Sequence, residues 1–228
     1  MASLTGAKRH LSELHQYLTS QKSVLDDHLA TRHIEWQFIP PRAPHFGGIW
    51  ESGIKSTKYH LKRVIGEQSL TFEEMSTVLA KTEAILNSRP LCHLSTDTSE
   101  IDVLTPGHFL IGAPLVAVPE YDFVEVPTNR LSRWQMLQKI TQHFWQAWSR
   151  DYVHTLIQKE KWQQRTEDLK IGAVVIIADE NTAPCHWKKG IIEATHPGKD
   201  GIVRVVSVRT ISGVFKRPVV KIYPLPSQ

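Results

Sequence analysis

The sequence predicts an α+β chain, helical through its first two thirds and closing in a small β-barrel. Three observations carry this. Apolar residues recur at three- and four-residue spacing as far as Trp162. Beyond Leu169 the pattern changes to short β-branched runs, and turn signals at 179–184, 197–201 and 212–213 separate those runs. With 228 residues, 41% of them hydrophobic and 22% charged, the chain has room for one large or two small domains. Its longest apolar stretch, 171–178, is far short of the roughly 20 residues that span a bilayer. Residues 1–7 lack the apolar centre of a signal peptide. No membrane partner is expected, and an intracellular setting is. Cys92 and Cys185 stand far apart, which argues against a disulfide scaffold or a zinc finger.

The elements follow in order. Leu11, Leu14, Leu18, Leu25 and Leu29 predict an amphipathic helix over 7–30, and the alternation of Ile34, Trp36 and Phe38 predicts a half-buried strand over 34–39. Pro40 and Pro41 end that strand, and 42–48 form a Pro/Gly loop. A helix should begin near 49–51. At 100° per residue, Trp50, Ile54, Leu61 and Ile65 share one face, while Glu51, Lys55, Lys58 and Lys62 lie within about 60° of each other on an adjoining one. A second helix opens at Thr71, which has capping-box spacing to Glu74, and should bury Phe72, Met75, Leu79 and Leu86 before Pro90. Residues 1–112 would form the first domain. Residues 113–128, with Pro114, Pro119 and Pro127 among Glu120, Asp122 and Glu125, read as an acidic extended linker.

A long helical segment is predicted over 129–168, with Leu131, Trp134, Thr141, Trp145, Trp148, Tyr152, Ile157 and Trp162 on its apolar side. So many tryptophans must bury against the preceding residues or against a second copy, which makes a homo-oligomer through this helix one expectation. Residues 169–228 hold four or five short strands, over 173–178, 190–194, 202–208 and 214–222, enough for a closed or nearly closed barrel.

Charge is unevenly spread. Residues 1–70 carry nine Lys/Arg against six Asp/Glu, 71–128 two against nine, 129–168 seven against four, and 169–228 nine against four. Basic blocks flanking an acidic one suit a polyanionic partner, because phosphate contacts follow local Lys/Arg density. Glu51 at the head of a lysine stripe would suit a divalent metal meeting a phosphodiester, with oxygen for the hard cation and Lys55, Lys58 and Lys62 for the DNA backbone. Helix macrodipole and an i,i+4 pair account for the same residues without any metal. In the barrel, alternation turns many of Lys188, Lys189, Arg204, Arg209, Lys216, Arg217 and Lys221 outward, as a solvated face or as DNA contacts.

The string Trp36-Gln-Phe-Ile-Pro-Pro-Arg-Ala-Pro-His-Phe-Gly-Gly-Ile-Trp-Glu51 resembles the last acidic motif of retroviral-type integrases, in the form used by Bel/Pao long-terminal-repeat retrotransposons. Ile85-Leu-Asn-Ser-Arg-Pro-Leu91 and Leu104-Thr-Pro-Gly-His-Phe-Leu-Ile-Gly112 are similar to further segments of that group. So are Arg133-Trp134, Phe144-Trp145, Trp162, Gly172, Trp187, Asp200-Gly201 and Arg217-Pro218-Val219. The resemblance implies the C-terminal part of an RNase H-like catalytic core, a helical linker and an SH3-like barrel. In the complete family enzyme two aspartates and a glutamate, matched by Glu51, hold Mg²⁺ or Mn²⁺ for two-metal polynucleotidyl transfer. Lys55 and Lys58 match lysines that contact DNA.

Gly6-Ala7, which in the family follows the second aspartate closely, is preceded here only by residues 1–5, so both catalytic aspartates are missing. The expectation is a truncated integrase, inactive as written and holding no stable metal. It would act in the nucleus on DNA, with no small-molecule substrate. Two other readings compete: a catalytically dead DNA- or chromatin-binding module retained by a host, and a structural assembly segment.

Overall fold

A computed structural model of the chain describes residues 48–94, 101–156, 169–179 and 182–226, with scattered positions between 13 and 24. Glu13, Gln16, Tyr17, Thr19, Ser20 and Val24 are helical, within the helix predicted over 7–30. The rest of that helix, the predicted strand over 34–39, the loop to 47 and residues 157–168 with Trp162 lie outside the described residues, as does the side chain of Trp50. The chain clusters into two compact units, 1–53 and 54–228. The second contains helices and a five-stranded antiparallel sheet.

Helix α1, Gly48–Ile65, crosses the boundary between the units. In the second unit it buries His60 and Leu61, whereas Ile54, expected on the apolar face, is exposed. Helix α2, Phe72–Asn87, starts on the capping box expected from sequence: the Thr71 hydroxyl accepts from the Glu74 N–H, and the Glu74 carboxylate accepts from the Thr71 N–H.

Its buried face differs from the expected one. Val78, Thr82 and Ile85 point inward, while Phe72, Met75 and Leu79 are exposed, a rotation of roughly 80° at 100° per residue. The reason is the partner. Helix α4, Arg133–Thr155, presents Met136, Ile140 and Phe144 to the shared core, and bulky side chains on one helix pack best against small ones on the other.

After α2 the two-residue strands β1, Cys92–His93, and β2, Val103–Leu104, pair antiparallel. Helix α3, Pro106–Ile111, follows with Pro at its start and the left-handed Gly112 at its end. The stretch 113–128, expected to be an extended linker, is irregular, with a turn closed by the Val126 N–H donating to Phe123 O at 3.1 Å and a 3-10 turn, Thr128–Arg130, at its end, and it is tied down rather than a free connector. Lys81 pairs with Glu120, the Phe123 N–H donates to Gln142 Oε1 at 2.9 Å, and Gln142 Nε2 donates to Tyr121 O at 2.7 Å. Helix α4 then opens on a second capping box, Ser132 with Gln135.

Strands β3, Val174–Ile177, β4, Lys189–Pro197, β5, Val203–Thr210, β6, Gly213–Pro218, and β7, Ile222–Pro224, form the sheet in the order β6-β5-β4-β3-β7. Every residue of β3 is buried. Gly190 permits the close pairing of β4 with β5, since a Cβ there would sit 2.4 Å from Val208 Cγ1. A 3-10 turn, Val219–Lys221, precedes β7.

Sheet and helices meet at an aromatic seam. Trp187 stands edge-on to Trp145, Trp148 and Tyr152, with centroids 4.7, 6.3 and 5.6 Å away, and its indole N–H donates to Ser88 Oγ at 3.1 Å. The Tyr152 hydroxyl donates to Pro90 O at 2.6 Å, and burial pushes its pKa up to about 12, opposed by the Arg89 charge. Trp145 and Trp148 therefore bury within the chain rather than against a second copy. Trp134, expected on the same face, is exposed, with the Lys81 ammonium 4.9 Å from its ring centroid.

Candidate nucleic-acid interface

Lys55, Lys58 and Lys62 project from one side of α1, all exposed, and none forms an ion pair or hydrogen bond with a described residue. Spacing of three and four residues holds them on one stripe. The opposite side is anchored: Leu61 joins the core, and His60 packs edge-on to Phe144 at 6.1 Å with its Nε2 3.2 Å from Asp151 Oδ2. Burial holds the His60 pKa below its ordinary value; Asp151 pulls the other way, and Arg63 and Arg150 add to the depression. The ring is thus a packing group, and the helix's outward charge belongs to Lys and Arg.

One pair beside the stripe was not singled out in the sequence. The Arg63 guanidinium lies 3.4 Å from the Tyr59 ring centroid and donates to Tyr59 O at 3.2 Å. Tyr59 is half exposed, so a cation and an aromatic surface stand next to the lysines. The i,i+4 spacing of Tyr59 and Arg63 is the signal that could have found it.

Glu51 lies in the first turn of α1 and is exposed; it belongs to the first unit. Among the described residues no group of three or more His, Cys, Asp or Glu side chains gathers as a metal site. An exposed carboxylate with no second ligand gathered beside it among the described residues does not fit the two-metal centre that the resemblance implies.

The sheet's cations are placed differently. Lys188 pairs with Asp179. Arg204 makes two bonds to Asp200, at 3.0 and 2.7 Å, and these hold the Asp200 carboxyl down at about 2. Lys189 is half-buried, and loss of solvent lowers its pKa against the pull of Asp102. Arg217 lies 5.2 Å over Phe215 and donates to Lys216 O at 3.1 Å. Arg209 is half-buried in β5, opposite Val214 and Ile191. Lys216 and Lys221 remain exposed. The alternation read from sequence therefore holds for part of the set only. Cys185, in a left-handed turn, has its thiol pushed up by burial, which disfavours the reactive thiolate.

Comparison with curated proteins and with solved structures gives no match. Residues 132–225, from the cap of α4 through the sheet, are similar to a family described as "Family of unknown function (DUF5641)".

Proposed function

We propose that this chain is a DNA-holding portion of an integrase-type retroelement protein, with Lys55, Lys58 and Lys62 gripping phosphates along the outer side of α1. One observation carries the reading: three exposed lysines share a stripe and make no ion pair with a described residue. Unpaired ammonium groups at this spacing suit successive phosphates, and such contacts give affinity without reading bases. The Arg63–Tyr59 stack adds a cation beside the stripe. The resemblance of 36–51 to an integrase acidic motif supplies the class of protein, and nuclear DNA is the partner under it.

The finer fold belongs to the same proposal. A strand order with β3 between β4 and β7, and a 3-10 turn before the last strand, supports an SH3-like barrel for 169–228. The helices of 48–112 would then be the C-terminal part of an RNase H-like core. In a complete relative, Mg²⁺ or Mn²⁺ bound by Glu51 and two aspartates would supply the polynucleotidyl transfer chemistry. No catalytic step is assigned to Glu51 alone, so the reading concerns DNA binding in the first place.

The test is the salt dependence of binding to unrelated DNA duplexes. Replacing all three lysines by Gln should weaken binding to each duplex alike and flatten the slope of log K against log salt by about 2 to 3, at about 0.9 per lost phosphate contact. An unchanged slope in a folded triple variant would refute the grip. A DNA-binding module without chemistry is told apart from an enzyme by assaying strand transfer with Glu51→Gln as control.

A further inference from the structure

Strand β6 ends the five-stranded sheet on one side, and no described residue pairs with its far edge. Thr210 and Gly213 close the two-residue turn that joins β5 to β6. By the alternation of an antiparallel pair, the N–H and C=O of Val214 and Lys216 then point away from β5. Consistent with this, Lys216 O accepts from the Arg217 guanidinium at 3.1 Å. Pairing with β5 also assigns the faces of β6. Phe215 and Arg217 stand opposite Val208 and Val206, which are both fully buried, yet Phe215 is 39% exposed. The apolar layer of the sheet therefore runs out uncovered at β6. On the other face Val214, 52% exposed, and Lys216 stand opposite Arg209 and Ser207.

The charge at this edge has one sign. Residues 201–228 carry five Lys or Arg and no Asp or Glu. Lys216 is exposed and makes no ion pair with a described residue, and Arg217 lies over Phe215 with no carboxylate beside it among them. Lysine on an edge strand deters pairing in general. A strand that brings a carboxylate is the exception, because it satisfies the ammonium it covers. We propose that β6 receives an extended segment of a partner protein that alternates carboxylates with apolar residues, the carboxylates lying beside Lys216 and the apolar side chains extending the layer beyond Phe215. The proposal does not rest on the DNA reading. Backbone pairing supplies affinity, and the cations choose the occupant. A second copy would lay its own Lys216 and Arg217 along the same edge, and like charges so placed repel. Phosphates offer acceptors alone, which leaves the outward carbonyls unpaired and Val214 and Phe215 wet.

The experiment titrates the full chain into a fluorescein-labelled peptide, Thr-Glu-Val-Glu-Val-Glu-Thr, and reads anisotropy. Saturable binding is expected, with at least about tenfold weaker binding when Lys replaces every Glu. Two further peptides are N-methylated on the Glu residues or on the Val residues. Alternate residues of a strand face its neighbour, so one methylated peptide should keep the parent affinity and the other should lose at least about tenfold. Lys216→Glu, a change at an exposed position, should cut the preference for the Glu peptide over the Lys peptide by at least about tenfold. The proposal is overturned by no saturation up to about 1 mM chain, by equal affinity for the Glu and Lys peptides, by equal affinity for the two methylated peptides, or by a preference that Lys216→Glu leaves unchanged. Equal methylated peptides that duplex DNA displaces would overturn it in favour of nucleic acid. A chain–chain association that Val214→Pro abolishes and the peptide does not compete would overturn it in favour of a second copy.

Discussion

The two cationic regions of the second unit, the lysines of α1 and the cations of the sheet, differ in what already holds them. Along α1 three exposed lysines make no ion pair with a described residue, whereas on the sheet side Lys188 is matched by Asp179, Arg204 by Asp200, and Lys189 is half withdrawn from water, which leaves Lys216 and Lys221 exposed there. A cation tied to its own carboxylate must break that pair before it can release a counterion on DNA, so it contributes less to binding. If the proposed DNA grip holds, unpartnered charge rather than charge density marks the interface.

The sharpest way to break this comparison is to remove each region in turn. Lys55, Lys58 and Lys62 changed together to Gln should lower DNA affinity about 100-fold at about 0.15 M salt, from three contacts at a slope of about 0.9 each. Lys188→Gln with Arg204→Gln should cost less than about threefold, because their phosphate contacts are discounted by the pairs they already make. Equal losses from the two sets, measured on the same duplex, would show that pairing in the free protein does not decide the interface.

A second prediction concerns what keeps the sheet with the helices. Trp187 brings three aromatic rings and a hydrogen bond to Ser88 together, so Trp187→Ala should cost about 3 kcal/mol in urea unfolding. If the unfolding free energy moves by under about 1 kcal/mol, the seam is not what joins the two parts.

A third separates the two faces of α2. Ile85 is fully buried and Leu79 is 45% exposed, so Ile85→Ala should cost about 2 to 4 kcal/mol and Leu79→Ala no more than about 0.5. Similar costs would restore the face expected from sequence.

How much was legible follows from which interactions are local. Capping at Thr71 and Glu74, the strands between 173 and 224 and the outward lysines of α1 depend on spacing along the chain, and the sequence carries spacing directly. The buried face of α2 was misread because the larger side chains looked like the core, while the choice was made by Met136 and Phe144 on another helix. Trp134 was misread for the same reason: it keeps helical register with the seam residues but finds Lys81 rather than the core. The pairing of Lys188 and Arg204 was invisible because alternation reports direction and says nothing of partners. Glu120 read as linker charge, since no pattern along the chain reveals its pairing with Lys81.

The smallest effect tests the sheet's side of the comparison at a single pair. Asp200 is exposed, yet two bonds from Arg204, with a third from the Ile202 N–H, hold its carboxyl at about 2 against an ordinary 3.8. A folded-state pKa lowered below the unfolded one stabilises the fold fully above the unfolded value and loses that contribution as pH falls from about 4 towards 2. Following the Asp200 carboxyl by NMR should therefore give a midpoint near 2 in the parent, and a midpoint raised towards 3.8 in Arg204→Gln, where the Ile202 N–H remains. Addition of DNA discriminates further. If Arg204 stays with Asp200 in the complex, the midpoint does not move; if a phosphate captures Arg204, the carboxyl loses its partner and the midpoint rises as it does in the variant. A rise with DNA would make the sheet an equal partner in the grip and erase the distinction between the two regions.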